Sequence, residues 1–160
     1  RRYGVQNAPN TASGVATPYD AIATTYDERF PTSETMAREL AQIVKATRGE
    51  YPPSFLDVAC GTGRLLDLNL AHPARYAGVD PSSAMLNMLV RKHPTVARLY
   101  PSSIESMLSR REFTPRQFDI VTMLTGPDDE FSETTVAAAA ELANRAFIRG
   151  VGDDLVVHRT

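Results

Sequence analysis

Residues 55 to 64, Phe-Leu-Asp-Val-Ala-Cys-Gly-Thr-Gly-Arg, run from a buried-type apolar stretch straight into small residues. Gly61 and Gly63 let the backbone turn tightly and approach a ligand closely, and Ala59 is small enough for the first position of such a turn. Nineteen positions after Gly61 stands Asp80, whose carboxylate is able to accept hydrogen bonds from both hydroxyls of a ribose. A glycine pair alone is weak, but a turn followed by an acid at this spacing points to a ligand containing adenosine. A dinucleotide fingerprint would need a third glycine, and Arg64 or Leu66 stands there instead. Asp57, just before the turn, would repel a diphosphate, whereas it would face a ligand's ammonium group and orient the turn.

Other reactive side chains carry less. Cys60 lies inside the turn without an identifiable His or Asp partner, so a packing role is the stronger expectation for it. His72 and His93 each precede a proline near a helix end and are expected on the surface or as caps. His158 is better placed to meet a substrate, though histidines at strand ends are often simply solvated. Asp128, Asp129 and Glu130 should form an acidic rim where substrate enters, either selecting an amine or merely solvated. No catalytic residue is assigned. A single cysteine and no His/Cys cluster at metal-ligand spacing leave no metal site in the sequence pattern.

These residues need a scaffold. The 160 residues fit one domain, and 42% apolar with 22% charged residues is typical of a globular protein. Residues 1–16 read as a lead-in without periodicity, and 17–160 as the folded domain: helices over 17–48, then an α/β core over 55–160. A helix is expected from Thr17, with Pro18 at its first position, to Arg29. A second carries Met36, Leu40, Ile43, Val44 and Thr47 on one face, capped by Thr32 or Ser33 and stopped at Gly49. Five strands follow: Phe55 to Ala59, Tyr76 to Val79, Val96 to Tyr100, Phe118 to Leu124 and Leu155 to His158. Helices are expected between them at Gly63 to Ala71, Ser82 to Lys92, Ser103 to Arg110 and Ser132 to Arg149, the last turning Val136, Ala140, Ala143 and Phe147 inward. Such alternation requires a doubly wound, mostly parallel α/β sheet with helices on both faces and ligands beyond the carboxyl ends of the strands.

The residues resemble the class I S-adenosylmethionine-dependent methyltransferases, which have a Rossmann-like fold. Phe55 to Gly63 is similar to that family's first motif, Gly78 to Leu86 to its second, and Phe118 to Val121 to the start of its fourth strand. Tyr19-Asp20 through Tyr26-Asp27 resembles the N-terminal helix that many small-molecule members lay over the cofactor. The resemblance implies that Asp57, Ala59, Cys60, Gly61 and Gly63 surround the methionine part of S-adenosylmethionine and that Asp80 binds its ribose. Pro81 and Met85 would flank the adenine, Ser103 and Ile104 would lie on its other side, and Leu124 would sit at the end of the fourth strand. Tyr19 and Tyr26 would close the pocket. S-adenosylhomocysteine would be the product.

Two departures stand out. Many members have an acid after the third strand to accept from the adenine amine, but Tyr100-Pro101-Ser102-Ser103 offers hydroxyls, and Ser102 with Glu105 has a capping-box pattern. The family's sheet usually has seven strands, and on this pattern the last two are not expected, which leaves a fifth-strand edge for pairing with another copy or another chain. Methyl transfer from a sulfonium to a small-molecule acceptor is a direct displacement needing alignment and exclusion of water more than a dedicated base. A net charge of −2 argues against nucleic acid as partner, and no apolar run is long enough for a membrane, so a cytoplasmic enzyme is expected. A non-catalytic methyltransferase-like partner or regulatory subunit is the alternative, and a nicotinamide-dependent oxidoreductase a weaker one.

Overall fold

A computed structural model of the chain describes residues 17–125, 130–151 and 153–160. The expected lead-in, and Asp128 and Asp129 of the acidic rim, lie outside the described residues. Six strands form one sheet in the order β3-β2-β1-β4-β5-β6. They are β1 (Phe55–Val58), β2 (Tyr76–Val79), β3 (Arg98–Tyr100), β4 (Phe118–Met123), β5 (Ala143–Val151) and β6 (Asp154–Arg159). The first five are parallel and β6 is antiparallel to β5. The chain moves outward from β1 through β2 to β3, then returns to the other side of β1 with β4. That reversal leaves a crevice beyond the carboxyl ends of β1 and β4, the position where open α/β sheets bind ligands.

Helices α2 (Glu34–Thr47), α3 (Arg64–Asp67) and α4 (Ser83–Lys92) cover one face, where Leu40, Leu65, Leu86 and Leu89 pack with Phe55 and Ile120 of the sheet. On the other face α5 (Ile104–Ser109) and α6 (Glu133–Ala140) bring Met107, Val136 and Ala139 onto Leu56, Val121 and Phe147. Both faces are thus covered, and strands such as Phe55–Val58 are buried at every position, as a parallel sheet requires. No helix of the described residues is long and apolar enough to cross a membrane.

Three expectations change. The helix expected from Thr17 to Arg29 is a series of turns, a 3-10 turn at Ala23–Thr25 and only then α1 (Tyr26–Arg29). Ile22, Thr24 and Thr25 are β-branched and resist a continuous helix. Asp20 is drawn instead to the Thr17 N–H (2.8 Å) and the Ser82 hydroxyl (2.7 Å). The helix expected from Ser132 to Arg149 ends at Ala140, and its second half is β5, buried at Ala146, Phe147 and Ile148. The strand expected as the fifth is therefore β6, and it is this strand that stands at the sheet edge. The capping box expected at Ser102 is displaced by one residue: Ser103 caps α5 by accepting from the Ser106 N–H at 3.2 Å.

Candidate functional site

Immediately after β1 the backbone enters the left-handed region at Ala59 (φ 57°), Gly61 (φ 53°) and Gly63 (φ 92°). Two of these positions are glycine because a side chain would be strained there. At Gly63 a Cβ would also stand 3.0 Å from Leu89 Cγ. Ala59 holds that conformation with the smallest side chain that L-residues allow. The turn is tied to the neighbouring strand: the Gly61 N–H donates to Asp80 Oδ2 and the Ser82 N–H to Asp80 Oδ1, both at 2.9 Å. Asp80 is only 8% exposed, and these two backbone donors help hold it in place. Carboxylate oxygens accept hydrogen bonds from hydroxyls as well as from backbone N–H groups.

Beneath the turn lies a second buried carboxylate. Asp57 accepts from the Tyr76 hydroxyl and the Thr122 hydroxyl, each at 2.8 Å. Burial pushes its carboxyl up to about 6, while those two hydrogen bonds and the nearby Arg64 charge pull the other way. Register explains the assembly. Asp57 lies opposite Gly78 on one side and Thr122 on the other, and the period of two sends Tyr76 to the same face. Gly78 leaves space for this cluster, since a Cβ there would stand 2.8 Å from Cys60 Sγ and 3.1 Å from the Tyr76 ring. Cys60 is buried in the core, and burial followed by the charges of Asp80 and Asp57 raises its thiol well above the usual range. Its side chain belongs to the core cluster that includes Tyr76 and Leu99.

Three adjoining cavities open at this end of the sheet. The first, about 230 Å³, is lined by Ala59, Gly61, Asp80, Pro81 and Met85 on one side. Ser103, Ile104 and Leu124 line it as well, together with Tyr19 and Tyr26. The second, about 340 Å³, takes in Asp57 and Cys60 together with Arg64 and Lys92. The third, about 730 Å³, lies between the α1–α2 segment and the ends of β4 and β5. Of the residues singled out in the sequence, Gly63 lines none of these and acts through the turn's shape. Tyr26 lines all three cavities, and its ring meets Tyr19 edge-on at 5.9 Å.

Sequence reasoning missed several groups. Glu105, read in the sequence only as part of a capping box, lines the first cavity, as does Glu130 of the expected acidic rim, so an acid does stand near it although the residues directly after β3 are hydroxylated. Thr122 and Tyr76 were legible only once the strand register was known. The N-terminal segment is fastened by Asp20 to Ser82, and by Asp27 to the Thr62 hydroxyl and to Lys92 Nζ (2.8 Å). For Asp20 and Asp27 burial works upward, but these hydrogen bonds win and hold both carboxyls below the usual value. The histidines divide as follows. His72 caps the 3-10 turn at Pro73–Arg75, and His93 bonds to Asp67 at 2.6 Å. His158 is not near the site: β6 runs antiparallel, which carries it level with Phe147 and Val121, where it stacks on the Phe147 ring at 6.2 Å.

The family model described as a methyltransferase domain matches residues 55–148. A dTDP-4-amino-2,3,4,6-tetradeoxy-D-glucose N,N-dimethyltransferase from Saccharopolyspora spinosa is 36% identical over 107 residues, covering 66% of this chain and 39% of its own length. A sugar N-methyltransferase structure from a Streptoalloteichus species superposes with a TM-score of 0.56 at 26% identity, covering 85% of this chain and 54% of that one. An amino pentose methyltransferase from Micromonospora echinaspora, solved with S-adenosylmethionine bound, gives a TM-score of 0.57 at 24% identity over 84% of this chain and 56% of its own. The last likeness shows the shared fold. The chain spans well under two thirds of each of these relatives.

Proposed function

The chain belongs to the class I, S-adenosylmethionine-dependent methyltransferase family, and from that premise we propose that it transfers a methyl group to an amine of a small, sugar-type acceptor. S-adenosylmethionine, when bound, supplies a methyl group on a positively charged sulfur, which an acceptor's lone pair takes by direct displacement. The chain's own residues align and shield. The observation that carries this reading is the left-handed turn Ala59–Gly63 locked to the Asp80 carboxylate, facing a cavity with apolar walls at Pro81, Met85 and Ile104.

The residues fit such a cofactor. Asp80 lines the first cavity with an acceptor-only carboxylate, the group type that ribose hydroxyls need, while the apolar walls suit a flat base. Asp57 offers a buried negative charge in the second cavity, suited to an ammonium group. Tyr26 stands where the three cavities meet, a position for excluding water from the transfer. The relatives' names support a sugar amine as acceptor, and direct displacement requires no dedicated base if the amine arrives neutral. Calorimetric titration with S-adenosylhomocysteine tests the cofactor reading, and label from methyl-labelled S-adenosylmethionine appearing in amino sugars tests the transfer. One-to-one binding and labelled product are expected. No heat at high micromolar protein would remove the proposal.

A further inference from the structure

The segment that carries Tyr26 over the cavities is held by side-chain bonds more than by burial. Between Ala23 and Arg29 only Ala23 is buried, and the helical pieces there are a 3-10 turn and the four-residue α1. Segments with so little apolar burial open locally at low cost. Both ends of this one are fixed. At one end Asp20 accepts from the Ser82 hydroxyl at 2.7 Å, and Ser82 is 1% exposed. At the other the chain enters α2, whose Leu40 and Val44 lie in the core. Between them the chain forms a flap, anchored on either side of Tyr26.

The middle of the flap is fastened by charge. Asp27 accepts from the Thr62 hydroxyl and from Lys92 Nζ, the latter at 2.8 Å. Lys92 also donates to Asp67 at 2.7 Å, and Asp67 meets His93 at 2.6 Å. One ammonium thus joins α1 through Asp27, α3 through Asp67 and its own helix α4. Thr62 stands between Gly61 and Gly63, so the same cluster ties the flap to the left-handed turn. A single surface pair is weak, whereas an ammonium shared by two carboxylates forms a network. Solvent reaches it, since the Asp27 side chain is 46% exposed, and dissolved salt screens such charges. The Asp20–Ser82 anchor has no opposite charges to screen. Behind the cluster lies the second cavity, with Tyr26, Asp27 and Phe30 on the flap side and Cys60, Thr62 and Arg64 on the other.

We propose that Asp27 and Lys92 are positioning residues that act through Tyr26, and that the loosening of their ion cluster sets how fast cofactor enters and product leaves. This rests on the first two cavities holding the cofactor. The cluster consists of protein groups alone, so weakening it favours the open flap in the empty and the filled protein alike. Entry and exit then quicken together, and affinity holds. A side chain that touches the ligand directly behaves otherwise: its loss speeds exit alone and weakens binding.

The test measures association and dissociation rates of S-adenosylhomocysteine on the immobilised whole chain at about 10 mM and about 300 mM potassium chloride. The ammonium and carboxylate of this probe cancel near neutral pH, so salt scarcely alters its encounter with the protein. For the wild type both rates should rise about fivefold from low to high salt, with Kd changing less than about twofold. Lys92→Gln should show both fast rates already at low salt and lose the salt response. Arg91→Gln makes the same charge change at the adjacent, exposed position of α4 and should behave as wild type. Lys92 lies outside the core, and the salt comparison needs no variant at all. Wild-type rates that ignore salt, a Lys92→Gln effect on dissociation alone, or the same effect from Arg91→Gln would each overturn the proposal and leave the cofactor reading standing. Absence of binding by all three proteins would overturn both.

Discussion

The two ends of the same sheet solve their polar requirements in opposite ways. At the amino ends of β1 and β4, Ser54 and Asp119 exchange a reciprocal pair of hydrogen bonds at 2.9 Å, and Asp119 sits 3.7 Å from both Arg75 and Arg145. Arg145 in turn donates to the Thr47 carbonyl. Asp119 there meets two opposite charges, and the groups are partly exposed. At the carboxyl ends, Asp57 and Asp80 are buried among neutral donors, three consecutive odd-numbered residues adopt left-handed backbone, and the cavities open. Strain and buried charge are tolerated where a ligand benefits from them. The difference is the one expected if the proposed site lies at the carboxyl ends and the amino ends serve structure alone.

Replacing Asp80 by Ala should have the largest effect. It strands the N–H groups of Gly61 and Ser82, costing about 3 kcal/mol of stability, and it weakens S-adenosylhomocysteine binding by about 10- to 100-fold. Denaturant unfolding and calorimetry read the two losses, and unchanged affinity would break the contrast. Asp57→Asn comes next and concerns pH. Because burial raises the Asp57 carboxyl from 3.8 to about 6, the folded protein holds this proton more tightly than the unfolded chain. The stabilisation from that proton is full below about pH 4 and is lost as pH rises through 6. Wild type should therefore lose about 3 kcal/mol relative to Asp57→Asn between pH 4 and pH 7. A pH-independent difference would show that Asp57 is not held as described. Ser54→Ala should have the smallest effect, about 1 kcal/mol of stability with no change in cofactor affinity, and a loss of binding would mean that the two ends are coupled.

The functional end was the more legible of the two in the sequence, because its demands are local. Left-handed backbone restricts residue type, so Ala59, Gly61 and Gly63 announce the turn, and Asp80 follows at a fixed spacing. What fastens the turn was not legible, since Tyr76, Thr122 and Lys92 meet Asp57 and Asp27 only through strand register and helix packing. The segment after Ala140 shows the same limit. Glu141 to Arg149 contains good helix formers, and Val136, Ala140, Ala143 and Phe147 fit a helical period. Yet β4 has an open edge that Ala146, Phe147 and Ile148 fill, and β6 then pairs with them in turn. Tertiary pairing overrode local propensity, as it does for chains buried on both faces.

Mapping backbone amide shifts during titration with S-adenosylhomocysteine tests the central claim most directly. The largest changes should fall at Ala59 to Gly63, Asp80 to Ser82 and Ser103 to Glu105, with Ser54, Arg75 and Asp119 unmoved. Shifts centred on the Ser54–Asp119 end, or none at saturating ligand, would contradict it.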